Sequence, residues 1–246
     1  GDTWTDVSQN IKDLPKGSWI PQIKASSKNK GEALLIANDY RRFNYTPYAY
    51  RTTNYGKTWK RIVDATDVKS YALAIVEDPE TSNLLFLGTD DGLYVSIDAG
   101  TKWQKWTEGF PTVPVKDLVI HPRENDLIIG TFGRAAWVLD DIRPLREIAI
   151  NNEVLKSELK LFTPPTAYLA ALQRPSGSRF GADAIYNGDN RKTGAELSYL
   201  ITIDQNETST VTDSTETENK VIKKDSITLK IYDGDRLIRT KKEVAP

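Results

Sequence analysis

The chain has no cysteine. Disulfides, zinc–thiolate centres and a cysteine nucleophile are therefore all excluded. Histidine is nearly as scarce, with His121 the sole representative. A Ser-His-Asp triad would have to use His121, and a site needing several histidines cannot form within this chain. His121 sits in Val119-Ile120-His121-Pro122, at the end of a strand-like run, and reads as a structural turn residue. Charge of one sign is also missing. Lys plus Arg is 33 against 34 Asp plus Glu, for a net charge of −1, which offers no bulk attraction to nucleic acid or an anionic membrane. No apolar run approaches the roughly 20 residues of a spanning helix, and no signal peptide is visible. No metal site or cofactor is indicated.

What is present points to β-structure. Among 246 residues there are 11 Tyr and 6 Trp, at spacings that suit strands. Two stretches share a pattern: Ser96-x-Asp98-x-Gly100-x-x-Trp103, and Thr52-x-Asn54-x-Gly56-x-Thr58-Trp59. Its last half, Gly1-Asp2-Thr3-Trp4, opens the chain. Each reads as a tight turn between strands. Asp98 or Asn54 accepts hydrogen bonds from backbone N–H groups ahead of it, Gly100 or Gly56 takes a positive φ, and the Trp folds back beneath the turn. About 44 residues separate Trp59 from Trp103, which suits a blade of four short strands in a β-propeller. A second register agrees with it. Ala74–Pro79 followed by Leu84–Thr89, and Leu118–Pro122 followed by Leu127–Thr131, are each an apolar strand, a Pro-containing turn and a strand ending in Gly-Thr.

Strand reading makes Thr3–Val7 the outer strand of an earlier blade. One full blade spans Trp19–Ala25, Glu32–Asn38, Tyr48–Thr53 and Thr58–Val63. A second spans Tyr71–Glu77, Leu84–Thr89, Leu93–Ile97 and Lys102–Thr107. A third offers Val115–Ile120, Asp126–Thr131 and Ala135–Leu139 and then stops. The first repeat carries a longer loop at Asp39–Tyr48. Asn151–Ser157 should form one or two helical turns capped by Asn151 or Asn152. Candidate strands follow at Thr166–Leu172, Glu196–Ile203, Ser226–Tyr232 and Leu237–Lys242, with a hairpin turn at Asp233-Gly234-Asp235. The stretches Gly177–Thr193 and Asp204–Lys220 read as solvated loops. The expected class is all-β: a partial β-propeller over residues 1–143, a linker with a short helix over 144–165, and an incomplete β-sandwich over 166–246. Two full blades cannot close a ring, since propellers need about four. The expectation is a piece of a larger propeller whose remaining blades are its principal partner.

The repeated turn is similar to the Asp-box of bacterial neuraminidase repeats. Tyr48–Trp59 and Gly133-Arg134-Ala135-Ala136-Trp137-Val138-Leu139-Asp140-Asp141 resemble the late blades of bacterial sortilin-like, Asp-box propeller proteins, many of them named glycosyl hydrolases. The resemblance covers residues 1–165 well and the remainder weakly. It implies a secreted or bacterial-envelope location, a C-terminal immunoglobulin-like or fibronectin-like module, and binding of a peptide or protein inside a wide tunnel. The chain departs from the pattern in having Asn54 where an Asp is usual. That exchange itself argues for a structural box, since an amide can close a turn but cannot act as a general base.

Candidates for chemistry are few. Arg41, Arg42, Arg51 and Arg134 do not space into a carboxylate-binding triad. Asp39, Asp90, Asp91, Asp140 and Asp141 could supply the facing carboxylates of a glycosidase, but each has a simpler use in a turn. The best surface for recognition is Asp39–Tyr45, with Tyr40, Arg41, Arg42 and Tyr45 as ligand-binding residues and Arg134 on the third repeat. The reading is thus a non-catalytic module binding peptide, protein or glycan. The alternative is a fragment of a glycoside hydrolase acting on extracellular polysaccharide, with its carboxylates mostly outside this chain.

Overall fold

The computed structural model describes residues 3–168, 194–202 and 226–244. The first sheet is an antiparallel meander of β1 (Trp19–Ala25), β2 (Ala33–Asp39), β3 (Asn44–Thr52) and β4 (Lys60–Arg61). The second repeats it with β5 (Ala72–Glu77), β6 (Leu85–Thr89), β7 (Gly92–Ser96) and β8 (Gln104–Trp106). The third has three strands, β9 (Val115–Ile120), β10 (Leu127–Thr131) and β11 (Ala136–Leu139). These are two complete propeller blades and a shorter third, as the repeat spacing predicts.

The blades stack face to face because both faces of each sheet are apolar. Side chains alternate along a strand, so Leu34 and Ile36 of β2 meet Ile75, Leu85 and Leu87 of the second blade. Leu35 and Ala37 point the other way, to Ile11, Tyr48, Tyr50 and Trp59. In β6 the alternation repeats: Phe86 joins Val115, Leu118 and Leu127 of the third blade. Every residue of β6 is buried. Gly88 lets the second and third blades approach closely, since a Cβ there would lie 2.6 Å from Val115 Cγ1 and 2.8 Å from its carbonyl oxygen.

The box turns form as their chemistry predicts. Asp98 Oδ1 accepts from Thr101 N (3.0 Å), Lys102 N (2.9 Å) and Ser96 Oγ (2.8 Å). Ser96 Oγ accepts from Gly100 N at 2.9 Å. Gly100 has φ +88°, and a Cβ on it would meet Ile62 at 2.9 Å. Trp103 donates its indole N–H to Ile62 O at 2.7 Å, joining the turn to the preceding blade. In the other box Asn54 Oδ1 accepts from Thr58 N (2.9 Å) and Thr52 Oγ1 (3.1 Å).

Thr3–Val7 is not a strand; the chain there is irregular and leads into a 3-10 turn at Ser8–Asn10. A strand needs a neighbour to accept its ladder bonds, and none lies beside it among the described residues. Its position still follows the repeat. Val7 Cγ2 lies 3.4 Å from where a Gly56 Cβ would stand, as Ile62 does at Gly100. Trp4 is exposed rather than folded under a turn, and Gly1 lies outside the described residues. The expected loop at Asp39–Tyr48 is instead a 3-10 turn, Tyr40–Arg42, with β3 already begun at Asn44.

The segment expected as a linker packs tightly. Helix α1 (Arg143–Ile150) begins with Pro144 in its first turn, where the missing N–H costs no hydrogen bond. It buries Ala149, with Ile142 at its start, in the core between the second and third blades. Its Arg146 grips Asp78, Nε to Oδ1 at 3.0 Å and Nη2 to Oδ2 at 2.8 Å, with Asn125 Oδ1 at 3.0 Å from Nη1. Asp78 is 0% and Arg146 5% exposed. The 3-10 turn Asn152–Lys156 follows, with Asn151 capping Glu153 N. Then β12 (Leu159–Leu161) pairs with β13 (Tyr199–Ile201). The first compact unit accordingly runs to Ile203, past the expected boundary near 166.

The second unit, Asp204–Pro246, shows one hairpin, β14 (Ser226–Asp233) with β15 (Arg236–Val244), turning at Gly234 with φ +57°. This is the turn expected at Asp233-Gly234-Asp235. Of the region expected as a sandwich, the described residues show β13 in the first unit and the β14–β15 hairpin in the second. The expected loops at Gly177–Thr193 and Asp204–Lys220, and most of the strand at Thr166–Leu172, lie outside the described residues.

Two substitutions test this account by chemical denaturation. Asp98→Ala removes an acceptor of three hydrogen bonds and should cost about 1–3 kcal/mol, whereas Asp98→Asn, which copies Asn54, should cost well under half as much. Arg146→Ala leaves Asp78 buried and unpaired and should cost about 3–5 kcal/mol.

Candidate binding rim

A meander puts alternate turns at opposite ends of the blades. The box turns after β3 and β7 lie at one end; the β2–β3, β6–β7 and β10–β11 hairpins lie at the other. Residues that the sequence scatters meet at the hairpin end. Tyr40 stacks on Tyr71 with centroids 4.7 Å apart and planes at 16°. Tyr45 tilts against Tyr71 at 6.0 Å. The Arg41 guanidinium lies 5.7 Å from the Tyr40 centroid and 5.5 Å from that of Trp19. The order is Trp19, Arg41, Tyr40, Tyr71, Tyr45, a ladder of rings with one cation inserted. Cation–π contacts of this kind contribute about 0.5–1 kcal/mol at exposed sites.

Each rung has a local cause. Phe43 adopts φ +60°, which reverses the chain after the 3-10 turn. Asp39 anchors that turn, accepting from Arg42 Nε at 2.6 Å. Asn44 Nδ2 donates to Tyr48 Oη at 3.0 Å. Tyr71, just ahead of β5, is buried and donates to Asp90 Oδ1 at 2.8 Å. Burial, and next the Asp90 hydrogen bond, push its phenol well above the ordinary tyrosine value. Tyr94 is pushed up to about 12, chiefly by burial and then by the Asp91 charge. Burial raises Asp91, but hydrogen bonds from Thr89, Lys105 and Tyr94 together with the Lys105 charge outweigh it, and its carboxyl lies below the usual value.

Of the expected binding residues, Tyr40, Arg41 and Tyr45 join the ladder, and Arg42 holds its turn. Arg134 lies on the equivalent hairpin of the third blade, where its carbonyl accepts from Trp137 Nε1. Among the described residues no interaction links its side chain to the ladder. Trp19 and Tyr71 are ladder members that local sequence reading misses. Their only signal is repeat position: both stand at the start of the innermost strand of a blade.

The acidic candidates are engaged structurally. Asp39 holds Arg42, Asp90 takes the Tyr71 phenol, and Asp91 takes Thr89 and Lys105 at 2.9 Å. Asp141 pairs with Arg143. Arg51 belongs to the opposite end, bridging Glu77 (3.0 Å) and Glu32 (3.3 Å) between the first two blades. His121 accepts from Glu124 N through Nδ1, as a turn residue does. No cluster of three or more potential metal ligands occurs among the described residues. In chemical terms the rim offers aromatic surface and the in-plane donors of Arg41, which has no carboxylate partner among the described residues.

Similarity to known proteins falls on the same blades. Residues 48–143 match the family model described as sortilin, neurotensin receptor 3. The match covers 96 of the 246 residues, and over that stretch the chain is similar to this family. A vacuolar protein sorting/targeting protein 10 from Pyrenophora teres f. teres is 30% identical over 115 residues, which are 45% of this chain and 7% of that protein. Among solved structures, a GH74 enzyme of Niastella koreensis aligns with 19% identity and a TM-score of 0.43, covering 50% of this chain and 21% of its own. A GH74 xyloglucanase from Xanthomonas campestris aligns with 18% identity and a TM-score of 0.41, covering 50% and 22%. No helix among the described residues is long and apolar enough to cross a membrane.

The Tyr71 phenol provides a test of the ladder's geometry. A folded value above the unfolded one, about 10, gives stability that is complete below pH 10 and is lost as pH rises further. Tyr71→Phe should flatten that alkaline loss and cost about 0.5–1.5 kcal/mol near neutrality. Denaturation followed across the alkaline range measures both.

Proposed function

We propose that this chain is part of a non-catalytic binding propeller, and that the Trp19–Tyr45 ladder is where it engages a peptide or glycan. One observation carries the reading. Exposed Trp19, Arg41 and Tyr45 are held in a fixed order around half-buried Tyr40 and buried Tyr71, while the neighbouring Asp39, Asp90 and Asp91 are occupied by Arg42, Tyr71 and Lys105. Preordered rings and guanidinium groups bind with little loss of side-chain freedom. Carboxylates tied up in turns are poorly placed to transfer protons.

The proposal includes a further blade against the first. Trp59 Nε1 and Tyr50 Oη are buried without hydrogen-bond partners, and both belong to the cluster on the face turned away from the second blade. The corresponding indole, Trp103, finds the carbonyl of Ile62, three residues after Trp59. Three residues after Trp4 comes Val7. A preceding blade ending in the strand Thr3–Val7 would offer Val7 O to Trp59. Similarity to sorting receptors also supports an extracytoplasmic site of action, in the secretory pathway or the cell envelope.

Arrays of oligosaccharides and unstructured peptides, probed with the 246-residue chain, test the reading. Ligands identified there should lose about tenfold in affinity with Arg41→Ala or Tyr45→Ala, while stability falls by no more than about 1 kcal/mol. Release of reducing ends from a bound oligosaccharide would replace this reading with the hydrolase alternative.

A further inference from the structure

A second surface lies away from the rim. Among the described residues strand β8 is the last of its sheet and pairs with β7 alone. Beside it, on one face of the sheet, lies a groove of about 770 Å³. The sheet side contributes Val95, Ile97 and Trp106; the opposite wall is Leu145 and Ile148 of α1 with Leu155 of the following 3-10 turn. A free strand edge beside a groove with an apolar helical wall satisfies the two demands of strand addition. Main-chain groups bind the incoming backbone, and the wall receives alternate side chains.

The charges at its ends are also informative. Lys102 stands just before β8 and Glu108 just after it, both exposed and both lining the groove. Neither takes part in an ion pair among the described residues. The sheet is antiparallel throughout. A strand added in the same sense would run from Glu108 towards Lys102. Charge complementarity then specifies a cationic residue near its start and an acidic one near its end.

We infer that the β8 edge takes an extended peptide segment of a partner protein as an antiparallel fifth strand, with apolar residues at alternate positions, a basic residue at its N-terminal side and an acidic one at its C-terminal side. The short edge and the central Lys105 fit this use. They discourage indiscriminate pairing between sheets while the groove selects by side chain. The site is independent of the rim ladder and stands whether or not the ladder binds a ligand.

The probe is an acetylated, amidated peptide reading Lys-Val-Thr-Val-Thr-Val-Glu, titrated into the full 246-residue chain. Binding should slow amide exchange at Gln104, Lys105 or Trp106, whichever of these amides face the groove. A peptide with its terminal charges exchanged should bind about tenfold more weakly, from two exposed ion pairs turned repulsive. The double variant Lys102→Glu with Glu108→Lys should reverse that preference. Leu155→Asp, at a position 44% exposed, should weaken binding at least tenfold without unfolding the chain. The inference fails if neither peptide binds, or if protection appears at Tyr40–Tyr45 and not at β8. It also fails if sedimentation shows the chain dimerising through this groove in a manner abolished by Leu155→Asp.

Discussion

The structure depends on one constraint: the central strands of the first two blades have no solvent face. In β2 and β6 residues of both parities are apolar, so each sheet must be covered on both sides. The second blade meets this fully, with the first blade against Leu85 and Leu87 and the third against Phe86. The Trp103 indole N–H on Ile62 O adds a directional bond between neighbouring outer strands. Close packing there requires Gly88 and Gly100, because a methyl group at either would strike the neighbouring blade. Hydrophobic burial drives the stacking, while these glycines and the indole bond set its spacing.

The same constraint explains the features at either side of the stack. On the first blade, residues of the N-terminal segment such as Ile11 cover part of the outer face, yet Trp59 Nε1 and Tyr50 Oη remain buried without partners. Such orphans are costly when isolated, about 1–3 kcal/mol each. On the third blade the chain leaves the sheet after β11 and folds back as α1. The Arg146–Asp78 clasp then fixes this helix to the second blade, while Asn125 ties it to the third. The clasp also creates the wall that faces β8, so the groove is a product of how the repeat ends. Box and hairpin turns meanwhile fall at opposite ends of the meander, which separates the turns that hold the blades from the rim that carries the ring ladder.

Much of this could be read in the residues, and the part that could not has a common cause. The box turns, the paired strands, the Asn151 cap and the Gly234 hairpin rest on side chains a few residues apart. The α1 helix was less visible, because Arg143–Ile150 has no side-chain N-cap and is held mainly by distant partners, Asp78 and Asn125. Thr3–Val7 has the composition of a strand but no neighbouring strand to pair with among the described residues. Propensity without a partner does not make a ladder.

The sequence alone therefore determined the repeat unit, its turn chemistry and the all-β class, because these follow from local hydrogen bonding and from alternation along single strands. It also picked out Tyr40, Arg41 and Tyr45 by residue type. Tertiary structure decided the rest: that Trp19 and Tyr71 complete their ladder, that the supposed linker is part of the blade core, and that β8 faces a helical wall. Each of these joins residues from different strands or blades. Their proximity is set by how the sheets stack, which no spacing along the chain records.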